Sequence, residues 1–168
     1  MLPTLLLAAG QSSRMLGGDK LMEQVEDEPL LSLLCKRALA TGPVTVTLPD
    51  DRDHPRWAVV PDDVQTVPVT GQMSDSIRAG LSALPATATG VIILPADMPD
   101  ITSDDLTAIR SAVTPDAMIV RATTEDGKPG HPIYFTRAMF PAFDALEGDR
   151  GAFRVCTVYE DSTIFVPL

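Results

Sequence analysis

Arg14 and Lys20 stand six positions apart in a stretch, residues 5–20, that reads LLLAAGQSSRMLGGDK. The pair could grip a phosphate: arginine offers a planar fork matched to phosphate oxygens, and lysine a point charge on a long stem. Ala8, Ala9 and Gly10, directly after Leu7, carry almost no side chain, so a ligand can lie against the backbone and successive amides can face an anion. Ser12 and Ser13 add hydroxyl donors, and the set as a whole suits a polyphosphate. Two common glycine motifs are excluded by spacing. A Walker loop needs glycine, lysine and Ser/Thr in succession, whereas Asp19 precedes Lys20 and Leu21 follows it. The dinucleotide fingerprint needs three glycines spaced two and three apart, which Gly10, Gly17 and Gly18 do not supply. A glycine-rich turn with two solvated basic residues is the alternative that spacing leaves open.

A second candidate follows the apolar run Val91 to Leu94, in Pro95-Ala96-Asp97-Met98-Pro99. In open parallel sheets the ligand lies beyond the carboxyl ends of the strands, where Gly10 and Asp97 would both emerge. An acid beside a phosphate suggests a hard cation, Mg²⁺ or Mn²⁺, held by one or two carboxylates and completed by water and substrate oxygens. Asp97 is the candidate ligand, and an Asx turn beside Pro99 is its structural alternative. His131, between Gly130 and Pro132, either belongs to a rigid turn or brings its imidazole to an acceptor pocket. Gly148-Asp149-Arg150-Gly151 can bind an anion through amides and Arg150, or be only a loop. Ser74 or Asp75 can cap the helix after Gly71. His54, beside Pro55 and without a partner at ligand spacing, reads as a loop residue.

The elements that must position these residues alternate. Leu5 to Leu7, three consecutive apolar residues, read as a parallel strand covered on both faces. Helical spacing follows from Pro29 through Leu31, Leu34, Cys35 and Ala38 to the Gly42-Pro43 stop. Strands are expected at Val44–Leu48, where the pattern alternates, at Val64–Val69, Val91–Leu94, Ala117–Val120 and Pro132–Phe135, and in the last residues from Thr163. Helices are expected after Ser74, after Thr102-Ser103, and from the end of the Pro132 strand through Leu146. Residues 123–130 read as a polar, mobile insertion. This order implies a three-layer α/β/α sandwich, a mostly parallel Rossmann-like sheet in one domain spanning residues 1–168. No run approaches the eighteen apolar residues of a membrane span. Two cysteines far apart, Cys35 and Cys156, suggest neither zinc site nor disulfide, and a reduced cytoplasmic setting is expected. A formal charge of −10 argues against a nucleic-acid partner. It leaves a triphosphate possible, because the relevant field is local.

The string LLAAGQSSRM with Lys20 beyond it resembles the signature of the nucleotidyltransferases that activate the molybdenum cofactor, in their cytidylyltransferase branch. Residues 95–99, 130–132 and 148–152 resemble that family's other motifs in the same order, so the resemblance covers nearly the whole chain. It implies a nucleotide-diphospho-sugar transferase type of fold, with CTP or another nucleoside triphosphate as donor and molybdopterin as acceptor. A receiving molybdoenzyme or its chaperone would be a partner, and no membrane is involved. It implies nucleotide contacts from Leu7, Ala8, Ala9, Gly10, Ser12, Arg14 and Lys20, with Gly71 and Ser76 reading the base. Gly130, His131, Asp149 and Arg150 would face the pterin. Arg14, Lys20 and Asp97 would be catalytic, with Asp97 on Mg²⁺. In this family Ala-Ala-Gly at residues 8–10 goes with cytosine and Gly-Gly with guanine. The chain departs twice: Phe153 stands where relatives usually have an arginine, with Arg154 one place on, and no carboxylate side chain follows the last strand. Asp161 precedes that strand, roughly 15 Å from its far end. These departures raise one alternative, a pterin-binding module that has lost catalysis, and the wider nucleotidyltransferase fold raises another, transfer to a sugar or polyol phosphate.

Overall fold

The computed structural model describes residues 1–10, 18–149 and 151–168, so Ser12, Arg14 and Arg150 lie outside the described residues. Strand β1 (Thr4–Leu7) is followed by the short antiparallel pair β2 (Gln24–Val25) and β3 (Glu28–Pro29), then helix α1 (Leu30–Leu39). Next come β4 (Val44–Pro49), β5 (Gln65–Val69), α2 (Met73–Ala83), β6 (Gly90–Pro95) and α3 (Ser103–Ser111). The chain finishes with β7 (Ile119–Thr123), β8 (Pro129–Thr136), α4 (Phe153–Val158) and β9 (Thr163–Pro167).

Seven strands form one sheet in the order β5-β4-β1-β6-β8-β7-β9. All neighbours are parallel except β8, which runs against both β6 and β7. The carboxyl ends of the parallel strands therefore share an edge with the amino end of β8. Strand order grows outward from β1 through β4 on one side and from β6 on the other. The crevice between the ends of β1 and β6 is thus the switch point at which open α/β sheets bind ligands.

Each sheet face carries its own core. Leu6, Val46, Ile92, Leu94 and Val120 pack under α1 and α3, through Leu31, Leu34, Ala38, Leu106 and Ile109. On the other face Leu5, Leu7, Ile93, Ile119 and Ile133 pack against Ile77 of α2, Phe143, and Val155 and Cys156 of α4. The three consecutive leucines of β1 supply both faces, which is why no polar residue interrupts them. Close packing of α2 on β1 requires Gly80, where a β-carbon would come within 2.5 Å of the Leu5 side chain.

The structure corrects several local readings. β4 is buried along both faces, Thr45 and Thr47 included, so its polar alternation does not mark a wet side. Residues 124–128 are the tight turn of a β7–β8 hairpin, closed by Thr124 N–H to the Lys128 carbonyl at 3.0 Å. Gly130-His131-Pro132 lies inside β8 rather than in a turn. The segment ending near Leu146 is a 3-10 helix, Arg137–Phe143, because Pro141 within it cannot donate to an α-helical ladder. The cap of α2 is Gln72, reciprocated by Asp75. Among the described residues no helix is long and apolar enough to cross a membrane. Cys35 and Cys156 are free and buried, in different cores, and burial pushes their thiols up to about 12 and about 11.

Candidate active site

The loop leaving β1 is closed by an arginine from far along the chain. Arg56 sits in the 3-10 segment Pro55–Val59, whose first turn is set when the Arg56 amide donates to His54 Nδ1 at 3.3 Å. Only 2% of Arg56 is exposed. Its Nη1 donates to the Ala8 carbonyl at 2.6 Å and to the Gly10 carbonyl at 2.8 Å. Its Nε and Nη2 fork onto the Asp19 carboxylate at 2.7 and 2.9 Å. Both ends of the loop are thus tied to one guanidinium. In a trans peptide the C=O and N–H point opposite ways, so fixing the Ala8 carbonyl on Arg56 turns the Ala9 N–H away from that cation. Asp19 also accepts the Leu21 amide at 3.0 Å, starting the 3-10 turn Lys20–Met22. Lys20 is exposed and makes no ion pair with a described residue. Leu7 is buried in the core, and Gly10 has open space around its α-carbon.

Across the crevice, the turn carrying Asp97 is tied to β1 by the Ala96 amide, which donates to the Leu7 carbonyl at 3.1 Å. A second arginine holds its far side. Arg37 of α1 donates to the carbonyls of Pro99 and Ile101 at 2.7 and 2.8 Å and pairs with Glu26 at 2.7 Å. Asp97 itself is exposed at the strand-end edge. Among the described residues no group of three or more His, Cys, Asp or Glu side chains gathers to cage a metal. A lone exposed carboxylate does fit a hard cation that takes its other ligands from water and phosphate.

His131 approaches the same crevice from β8. Ile93 pairs with Ile133, and His131 lies two residues beyond that pair, toward the strand-end edge. Burial first, then the charge of Arg121, pushes the imidazole down to about 4, while Asp97 opposes the shift. His131 is thus neutral at physiological pH and lies within the field of Asp97. The Arg121 Nε donates to the Gly130 carbonyl at 3.1 Å, fixing the residue before the histidine.

Other sequence-derived candidates are placed with structural roles. Gly71 has φ +124°, and a β-carbon there would run into the Asp75 carboxylate that accepts the Gln72 amide. Ser76 is buried in α2. Gly148, at φ +68°, accepts the Ser74 amide through its carbonyl at 3.1 Å, so this loop docks on the start of α2. Asp149 is exposed. A cleft of about 740 Å³ opens here, lined by Gln72, Leu146, Glu147, Gly148 and Arg154. It adjoins the Gly71 turn, not the Asp97–His131 side. Asp161 falls at the opposite end of β9 from the crevice, as its sequence position implies. Arg37, Arg56 and Arg121 went unflagged by the sequence. The one available signal was Arg121, a charge within an apolar strand.

A mostly parallel sheet of this order, flanked by helices, has the nucleotide-diphospho-sugar transferase fold. The chain belongs to the MobA-like NTP transferase domain family, whose pattern matches residues 4–163. It is 30% identical over 162 residues to the purine catabolism protein PucB of Bacillus subtilis, covering 89% of this chain and 77% of that protein. It is 29% identical over 164 residues to the molybdenum cofactor guanylyltransferase of Vibrio cholerae, covering 93% and 75%. The crystal structure of Rv0371c from Mycobacterium tuberculosis superposes with a TM-score of 0.87 at 27% identity, covering 99% of this chain and 87% of that one. A manganese complex of that protein gives 0.84 at 24%, covering 99% and 88%.

Two outcomes are expected. Arg56→Lys keeps a cation but loses the fork, so it should fold yet raise the KM for nucleotide about tenfold with the acceptor KM unchanged, read from initial rates. Arg56→Met leaves Asp19 without that pairing and should lower stability by about 3 kcal/mol in urea melts. The second concerns pH. His131 holds its proton less tightly when folded (about 4) than at its ordinary 6.5, so stability contributed by the neutral ring falls as pH drops between those values. Over pH 7 to 5, without metal or nucleotide, the melting temperature of His131→Asn should fall less steeply than that of the wild type; parallel slopes would contradict the burial reading.

Proposed function

We propose that this protein transfers CMP from CTP to the phosphate monoester of molybdopterin, releasing pyrophosphate. The observation that carries the reading is the meeting, at one switch point, of the arginine-closed β1 loop, the Asp97 carboxylate and the neutral His131 of β8. The molybdenum cofactor guanylyltransferase relatives support the pterin as acceptor. The small Ala8-Ala9-Gly10 turn supports cytosine, through the branch resemblance, although those same relatives are named for guanine.

A terminal oxygen of the acceptor phosphate attacks the α-phosphorus in line. A new P–O bond forms, the α–β phosphoanhydride bond breaks, and its electron pair leaves on pyrophosphate. No general base is needed, because a phosphate monoester is already ionised at neutral pH. The chain's work is positioning and charge neutralisation. The Ala9 amide and Lys20, with Arg14 by the sequence reading, hold the nucleotide's phosphates, and Gly71 and Ser76 border the base. Gly130 and His131 face the acceptor, with Asp149 and Arg150 by the sequence reading, and the uncharged imidazole of His131 adds no cation that would compete for the leaving group. Asp97 would hold Mg²⁺ or Mn²⁺, which supplies neutralisation of the phosphate oxygens when bound; the manganese complex of a structural neighbour favours a divalent ion of this kind.

The test is pyrophosphate release with each of the four nucleoside triphosphates, with and without molybdenum-loaded molybdopterin. Release should require CTP and the pterin, and Asp97→Ala should lower it at least about a hundredfold with an unchanged melting temperature. Release with GTP alone among the four would overturn the base assignment, and wild-type turnover in Asp97→Ala would overturn the role of the carboxylate.

A further inference from the structure

Arg121 is a cation inside an otherwise apolar strand end, and only 7% of it is exposed. Taking a guanidinium out of water is unfavourable unless its charge is met. Elsewhere in this chain it is met. Arg56 has Asp19 and two carbonyls, and Arg110 has the Leu2 carbonyl and the Thr4 and Thr41 hydroxyls. Arg121 differs. Its Nε donates to Gly130, but it pairs with no carboxylate among the described residues, and its two terminal nitrogens have no acceptor there. No buried polar side-chain atom among those residues lacks a partner, so the two nitrogens must open toward solvent.

The surroundings say toward what. Arg121 shares a sheet face with Ile119 and pairs with Ile133, both core residues under α4, and its charge acts on the His131 ring. The ring of Phe153, itself 60% exposed, lies over the guanidinium with its centre 5.2 Å from Cζ. The Gly130 bond fixes the plane of the fork, leaving two parallel N–H groups suited to a bidentate oxyanion. Strands are spaced about 4.8 Å apart, so β7, two strands from β6, lies roughly 10 Å from the Asp97 strand and farther still from the β1 loop. An anion held here enters the crevice from the β8–β7 side, opposite the β1 loop.

We propose that Arg121, braced by Gly130 and Phe153, is the subsite that binds the acceptor's phosphate monoester and presents it to the nucleotide. This rests on the nucleotidyl-transfer reading, in which the nucleophile is a phosphate oxygen. The Nη1 and Nη2 groups hold two of its oxygens and leave the third free to face the crevice. Formation of the new bond then needs no proton transfer, and the arginine keeps its contacts with the acceptor's phosphate as that group becomes one half of the new phosphoanhydride.

The experiment is a titration with inorganic phosphate, without metal, followed by NMR at the Arg121 Nε–Hε and His131 ring signals. The proposal expects a saturable shift of both in the wild type, at least about tenfold weaker binding in Arg121→Gln, and an intermediate loss in Arg121→Lys, which keeps charge without the fork. Persistence of the shift when CTP is already bound assigns the subsite to the acceptor. An unmoved Arg121 signal at saturating phosphate, equal affinity in a folded Arg121→Gln, or displacement of phosphate by CTP would each overturn it. The wild-type signal decides the matter even if Arg121→Gln does not fold. In turnover, Arg121→Lys should raise the acceptor KM and leave the nucleotide KM unchanged. Phosphate bound at Arg121 with no nucleotidyl transfer under any donor would retain the anion site and reject the proposed function instead.

Discussion

The Arg56–Asp19 ion pair is the constraint on which the front of this molecule depends. A guanidinium that is 2% exposed is tolerated because acceptors surround it, among the described residues both oxygens of Asp19 and the carbonyls of Ala8 and Gly10. Burying an ion pair brings little net stability, whereas removing one partner leaves a desolvated charge behind. The pair is therefore better understood as a specification of shape. It fixes where the chain leaves β1 and where it returns at Lys20, and a chemically useful lysine is presented beside a carboxylate that is already occupied.

The same device recurs along the strand-end edge. Arg37 holds the carbonyls beyond Asp97, and Arg121 holds the carbonyl before His131. The sheet holds its strand ends through close packing, but Lys20 and Asp97 stand on segments beyond it, and His131 on the first residues of β8. Arginine suits the task of bracing them because its planar fork can satisfy several carbonyls at once. Arg37 and Arg56 are themselves paired with Glu26 and Asp19, so at this edge of a chain whose formal charge is −10 the positive field left for a polyphosphate comes, among the described residues, from Lys20 and Arg121.

Much of the scaffold was legible because buried parallel strands leave an unmistakable trace. Leu5–Leu7 and Val91–Leu94 have no polar side to show, and each is followed at once by the loop that carries Gly10 or Asp97. The placement of His131 on the same edge depends on β8 running antiparallel and starting at Pro129, neither of which the expected strand Pro132–Phe135 reveals. Arg121 broke the apolar run, so the strand was expected to end at Val120 and the hairpin turn after it was taken for an insertion. The charge that interrupted the pattern is part of the site. Arg56 was hidden differently, in a polar segment crowded with Asp50, Asp51 and Asp53, where periodicity carries no signal. Its partners lie 37 to 48 positions away, and only the folded chain brings them together.

The central claim is that the loops after β1 and β6 and the first residues of β8 assemble a site at which an acceptor phosphate displaces pyrophosphate from a nucleotide. Following the label from CTP marked at either the α- or the γ-phosphorus, in the presence of molybdenum-loaded molybdopterin, tests this most directly. The account predicts that the α label appears in the pterin product and the γ label in pyrophosphate. Transfer of the γ label to the pterin, or hydrolysis of CTP with neither label joined to it, would contradict the account.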